Sequence, residues 1–219
     1  MNLRDWGWDD DWAAAFAPHA ADGLHPARVV RQDRGAWEIQ TEAGVRSAEA
    51  TGRFRLALEC GEAEWPAVGD WTAVDPRPTC DRAGIAAVLP RRTCLARQDA
   101  GRATRAQVLA ANVDVAFLVG ALDAGRGFSL ARLERALALV RAGGAEAVVV
   151  LNKADLCDDI GGRVREAQSA ATDAPVAAVS ATEGWGLDEL RSWLAEGRTG
   201  VLLGPSGVGK SALVNALLG

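Results

Sequence analysis

The sequence predicts two folded parts: an amino-terminal small all-β barrel, oligonucleotide-binding (OB)-like or SH3-like, and a following α/β domain built on a parallel sheet. Three observations carry this. Between Arg28 and Val88, short apolar segments alternate with turn signals at Asp33-Arg34-Gly35, Gly52 and Val68-Gly69-Asp70, as closely spaced strands require. From Val113 onward, apolar runs alternate with segments of helical period, which implies βαβ units. Near the carboxyl end, Gly204-Pro205-Ser206-Gly207-Val208-Gly209-Lys210-Ser211 fits G-x-x-x-x-G-K-[ST] between an apolar run and a helical one, the context that pattern needs.

Residues 1–25 read as an extension in which Trp6, Trp8 and Trp12 surround Asp9-Asp10-Asp11, and Ala13 to Ala17 form a short helix laid on the next domain. Residues 26–90 are the barrel. Its strand candidates are Ala27 to Arg31, Ala36 to Thr41, Val45 to Ala48, Phe54 to Leu58, Asp70 to Val74 and Ile85 to Leu89. About five strands in so short a span suggest a small closed barrel, with an SH3-like barrel left open by periodicity. Residues 91–110 read as a basic linker; 91–105 hold five Arg against one Asp. Such a run is either a solvated connection or an RNA-contacting loop. Residues 111–219 form the α/β domain. Val113 to Gly120 is its first strand. Ser129 is the N-cap of a helix whose Leu130, Leu133, Leu137 and Val140 share a face before Gly143-Gly144 stops it. Ala147 to Leu151, Val176 to Val179 and Gly200 to Leu203 are further strands, Leu187 to Leu194 a helix, and a final helix starts at Lys210.

Composition narrows the function. The chain has 219 residues, 49% of them hydrophobic, enough for two modest domains or one large one with a core of its own, and against disorder as the main state. A net charge of −5 offers nucleic acid or anionic membrane no general attraction, so any RNA must be gripped locally. The 24 basic residues comprise 22 Arg and only two Lys, Lys153 and Lys210. Lys is a compact ammonium on a slim stem and Arg a wide planar fork, so these two positions mark sites that must thread one point charge between oxygens. Four Cys without a C-x-x-C pair, and only two His, read as reduced thiols rather than a zinc site. No stretch approaches 18 apolar residues and the amino terminus lacks an apolar signal core, so a cytoplasmic protein without membrane partners is expected.

In Gly204 to Ser211 the glycines let backbone N–H groups converge on phosphate oxygens, and the following helix adds its positive end. Lys210 should bridge the β- and γ-phosphates, Ser211 should ligate Mg²⁺, and Ala212 should complete the phosphate contacts. The base is specified by Asn152-Lys153-Ala154-Asp155, at the carboxyl end of the strand ending at Leu151. Guanine's N1–H and N2–H₂ are parallel donors that Asp155 can accept in a charge-assisted pair. Adenine has no donor at N1 and would leave Asp155 unpaired, a penalty on the order of several kcal/mol. Asn152 should bind the base and tie the loop to its neighbours, with the Lys153 stem along the base face. Ser180-Ala181, after Val179, should offer a backbone N–H to guanine O6.

These elements run in permuted order, the base loops before the phosphate loop. That order, behind a small β-barrel, resembles the ribosome-small-subunit-dependent GTPase A family (RsgA, also called YjeQ). The similar stretches are Pro66-Ala67-Val68-Gly69-Asp70-Trp71, Ala110-Ala111-Asn112-Val113-Asp114, Leu133-Glu134-Arg135 and Gly204 to Asn215. The resemblance implies an OB barrel and a circularly permuted P-loop GTPase domain. It implies GTP and GDP as ligands, and GTP hydrolysis stimulated by the small ribosomal subunit during its late maturation. It assigns Asn152, Lys153, Asp155, Ser180 and Ala181 to the base, and Gly204, Gly209, Lys210 and Ser211 to phosphate and Mg²⁺. The barrel and the 91–105 segment become candidates for rRNA contact, and the protein is expected to be a monomer. The same resemblance implies switch segments, a γ-phosphate-sensing D-x-x-G element and a Cys/His zinc domain beyond Gly219. On that basis the GTPase domain is incomplete, the Gly200 to Leu203 strand lies at an open sheet edge, and GTP turnover by these 219 residues is negligible. Two other functions fit less of the sequence: a noncatalytic rRNA-binding barrel with a degenerate G domain, and another permuted ribosome-assembly GTPase.

Overall fold

The computed structural model describes residues 2–33, 35–76, 82–98, 106–123 and 128–219. They form two compact units, Met1–Asn112 and Val113–Gly219.

In the first unit, β1 (His25–Asp33), β2 (Ala36–Thr41), β3 (Gly44–Ala50), β4 (Trp71–Asp75) and β5 (Ala83–Val88) close into a barrel in the order β1-β2-β3-β5-β4. All pairs are antiparallel except β3 with β5. This five-stranded closure, with a helix between β3 and β4, is the OB arrangement. That helix corrects the expected strand at Phe54 to Leu58. Thr51 caps it by accepting from the Phe54 N–H at 3.4 Å, Gly61 ends it at φ 77°, and it spans Gly52–Cys60. The apolar residues at 54, 56 and 58 look alternating, yet only Phe54 and Leu58, one helical turn apart, are buried, while Leu56 is 62% exposed. An earlier helix, α1 (Asp10–Ala21), is capped by Asp9; the barrel helix is α2.

The barrel interior holds Val29, Trp37, Ile39, Phe54, Leu58, Val74 and Ile85. On its outside, Leu3, Trp12 and Phe16 pack with Trp71, Ala73 and Leu89, with Trp6 and Trp8 partly buried against them. Buried Arg28 donates to the Gly69, Trp6 and Asn112 carbonyls and lies over the Trp71 ring. Buried Asp70 accepts from the Ala67 N–H and from two nitrogens of Arg91. Residues 91–110, expected as a linker, contain an antiparallel pair, β6 (Cys94–Gln98) with β7 (Ala106–Ala111). The intervening residues 99–105 lie outside the described ones. A side chain at Gly69, whose φ is +94°, would place its Cβ 2.0 Å from the Ala111 carbonyl oxygen, so glycine is what lets β7 lie against this turn.

The second unit is a parallel sheet in the order β10-β9-β8-β11, formed by β8 (Val115–Ala121), β9 (Glu146–Asn152), β10 (Val176–Ala178) and β11 (Gly200–Leu203). Helices α3 (Leu130–Ala142) and α4 (Ile160–Ala171) cover one face, and α5 (Leu187–Trp193) and α6 (Lys210–Leu218) the other. Only Ala167 and Ala171 of α4 are buried, so no stripe of large apolar residues announces that helix. Ser129 is the N-cap position of α3, without a side-chain capping bond. Strand β11 lies at one end of the sheet, as expected. The chain leaves β8 first toward β9 and returns on its other side at β11, so a topological switch point falls there, and ligands bind outside such strand ends.

Candidate guanine-nucleotide site

All four strands deliver a candidate loop at the carboxyl edge of this sheet. After β11 comes the phosphate loop. Val208 anchors it in the core at 1% exposure, while Ser206 and Gly207 are exposed. Gly207 and Gly209 have φ values of 85° and 93°. A Cβ on Gly204 would stand 2.3 Å from the Val119 carbonyl oxygen, and one on Gly209 2.3 Å from Asn152 Nδ2. Glycine therefore sets both the turn and its approach to the neighbouring loop. Lys210 Nζ donates to the carbonyls of Gly204 (2.9 Å) and Pro205 (2.7 Å), folding across the loop. Ser211 and Ala212 are exposed on the first turn of α6.

After β9 comes Asn152, 2% exposed. Its Nδ2 donates to the Val208 carbonyl at 2.9 Å and its Oδ1 accepts from the Ala181 N–H at 3.1 Å. One side chain thus ties the base loop, the phosphate loop and the loop after β10 together. Ser180-Ala181 was expected to offer a backbone N–H to guanine O6; in this structure the Ala181 N–H donates to Asn152 Oδ1 and the Ser180 N–H to the Trp185 carbonyl. Lys153 sits at φ 60°, ψ 37°, a left-handed conformation costing a non-glycine residue roughly 1–2 kcal/mol. Its Nζ pairs with Asp123 Oδ2 at 2.5 Å. Asp155 lies on the 3₁₀ turn Ala154–Leu156, and its Oδ1 is buried with no hydrogen-bond partner. An orphaned buried carboxylate oxygen is costly, and it fits the donor pair of a guanine. Ser180, fully buried, accepts from the Glu183 N–H, and a double backbone bond with Trp185 closes its loop.

Sequence reasoning missed Asp123. The signal was its position just past the carboxyl end of β8, where this kind of sheet gathers its ligand contacts. Two of the five arginines in the basic segment are engaged within the first unit. Arg91 is committed to Asp70 and Glu64, with its pKa held above the ordinary value chiefly by the Asp70 hydrogen bond. Arg92 is paired with Asp9 and stacked 4.3 Å over Trp12. Arg102 and Arg105 lie outside the described residues.

Residues 88–219 match the RsgA GTPase family model. The chain belongs to the RsgA GTPase family. It is 46% identical over 227 residues to the small ribosomal subunit biogenesis GTPase RsgA of Opitutus terrae, covering 100% of this chain and 61% of that protein. It is 45% identical to the RsgA of Streptomyces coelicolor, covering 99% of this chain and 58% of that one. The chain therefore spans about three fifths of the length of these relatives. Among solved structures, YjeQ from Thermotoga maritima superposes with a TM-score of 0.68 at 29% identity, covering 89% of this chain and 65% of that one. YloQ, a circularly permuted GTPase, superposes with a TM-score of 0.60 at 23% identity over 88% of this chain and 63% of its own, a likeness of fold.

Proposed function

We propose that this chain binds GTP and GDP and that the protein hydrolyses GTP in maturation of the small ribosomal subunit. The bridge made by Asn152 between Val208 of the phosphate loop and Ala181 beyond β10 carries the reading. It brings phosphate recognition and base recognition within one side chain's reach, with the unsatisfied Asp155 oxygen beside them. In this reading Gly204 to Gly209 cradle the phosphates and Lys210 exchanges its bonds to the Gly204 and Pro205 carbonyls for phosphate oxygens. Asp155 accepts guanine's two donors, Asn152 fixes the loops, and Ser180 and Ala181 shape the base pocket. Ser211 holds Mg²⁺, which when bound neutralises phosphate charge. The names of the relatives support the small ribosomal subunit as a partner, and its rRNA is proposed as the surface met. With Arg91 and Arg92 internally paired, the barrel's other surfaces are the places to seek rRNA contact. Cytoplasmic location, a monomeric state and zinc in the family's further domain complete the proposal; no described helix is long and apolar enough to cross a membrane.

Calorimetric titration with GDP and with ADP tests the assignment. The expected result is GDP binding at least about a hundredfold tighter, the scale of leaving a buried charged acceptor unpaired. Equal affinities would overturn it.

A further inference from the structure

Asp123 belongs to none of the sequence motifs, yet it is built into the site. It follows β8, and the residue before it, Leu122, donates its N–H to the Asn152 carbonyl at 2.8 Å. The next residue of each strand end repeats the link through side chains, with Lys153 Nζ 2.5 Å from Asp123 Oδ2. Both side chains are only partly exposed, 30% and 28%. A backbone bond and an ion pair therefore join the two loops at adjacent positions, and Lys153 stands in the left-handed region at φ 60°.

Resting on the guanine-site reading above, we propose that Asp123 is a positioning residue for nucleotide binding. It holds the Lys153 ammonium at the rim, so that the aliphatic stem, not the charge, faces the base. Two physical effects make this matter. A lysine stem has many rotamers, and anchoring its end beforehand removes an ordering cost that binding would otherwise bear. The ammonium also has a competitor two residues away, the Asp155 carboxylate with its unpartnered buried oxygen. Opposite charges in a partly desolvated site attract strongly. Without Asp123 the ammonium is drawn to Asp155 and occupies the acceptors that guanine needs.

The test is GDP titration of the 219-residue chain and of Asp123→Asn, Asp123→Glu, Lys153→Met and the Asp123→Asn/Lys153→Met pair, with thermal melting alongside. Asp123→Asn should weaken GDP about tenfold, the scale of one charge-assisted contact, without lowering the melting temperature. Asp123→Glu should recover part of the loss. On the Lys153→Met background, Asp123→Asn should change GDP affinity by less than about twofold, since the effect runs through the lysine. Equal weakening on both backgrounds, or no weakening in the single variant, overturns the proposal while leaving the guanine site standing. Failure of the unmodified chain to prefer GDP over ADP overturns both.

Discussion

Lys153 and Asp9 show how much a single residue can do in this molecule. Lys153 accepts an unfavourable backbone conformation at the site where its stem must be aimed, which is where strained residues concentrate. Asp9 works by charge. It caps α1 through the Trp12 N–H and pairs with Arg92, whose guanidinium covers Trp12. The Arg92 hydrogen bond leads in lowering its pKa from 3.8 to about 2. A carboxylate lowered in the folded state contributes stability that is fully present above its unfolded pKa and is lost as pH falls through the folded one. The attachment of α1 should therefore hold above pH 3.8 and loosen toward pH 2. The pair is half-exposed, 43% and 48%, so its share is small, under about 1 kcal/mol. Near-ultraviolet circular dichroism from the Trp8–Trp71 edge contact should report it, and Asp9→Asn should flatten that acid limb. An unchanged limb would remove Asp9 from the account.

At the scale of elements, α2 is the instructive case. A strand over Phe54 to Leu58 would turn Phe54, Leu56 and Leu58 to the same side; the helix buries the first and last and exposes the middle one. Leu58→Ala should thus cost about 2–5 kcal/mol in urea unfolding, and Leu56→Ala less than about 0.5. Comparable losses at both positions would favour the strand. The misreading has a physical source. Thr51 and Gly61 are a good N-cap and C-cap, but five alternating residues satisfy a strand template as well as a helical one. Strands β8 and β9 were legible because they are continuous apolar runs buried on both faces, and β11, only partly buried at the end of the sheet, because its apolar run leads straight into the phosphate-loop pattern. The site motifs were legible because close backbone approach restricts residue type there, as at Gly204 and Gly209. The β6–β7 pairing and α4 were not: one is polar and Ala-rich, and the other buries only alanines. Asp123 was invisible for a different reason, since its partner is 30 residues away in the chain and only the parallel pairing of β8 with β9 brings them level.

At the scale of the whole molecule, the two units have separate hydrophobic clusters and only the second carries the nucleotide motifs. A ligand stabilises what it binds, by about 2.7 kcal/mol at a hundredfold excess over Kd. GDP should therefore raise the melting of residues 113–219 and leave the barrel's transition in place. Tryptophan fluorescence separates the two, because six of the eight tryptophans, from Trp6 to Trp71, lie in the first unit. A fluorescence transition that moves with GDP as far as the helical signal would show that the units unfold together.

The two lysines, one bound to Asp123 and the other folded onto the Gly204 and Pro205 carbonyls, also make the protein its own footprinting substrate. An acylating reagent finds no other side-chain amine in 219 residues. The label on each lysine-bearing peptide, read with and without nucleotide and apart from the amino-terminal α-amine, then reports the base end at Lys153 and the phosphate end at Lys210.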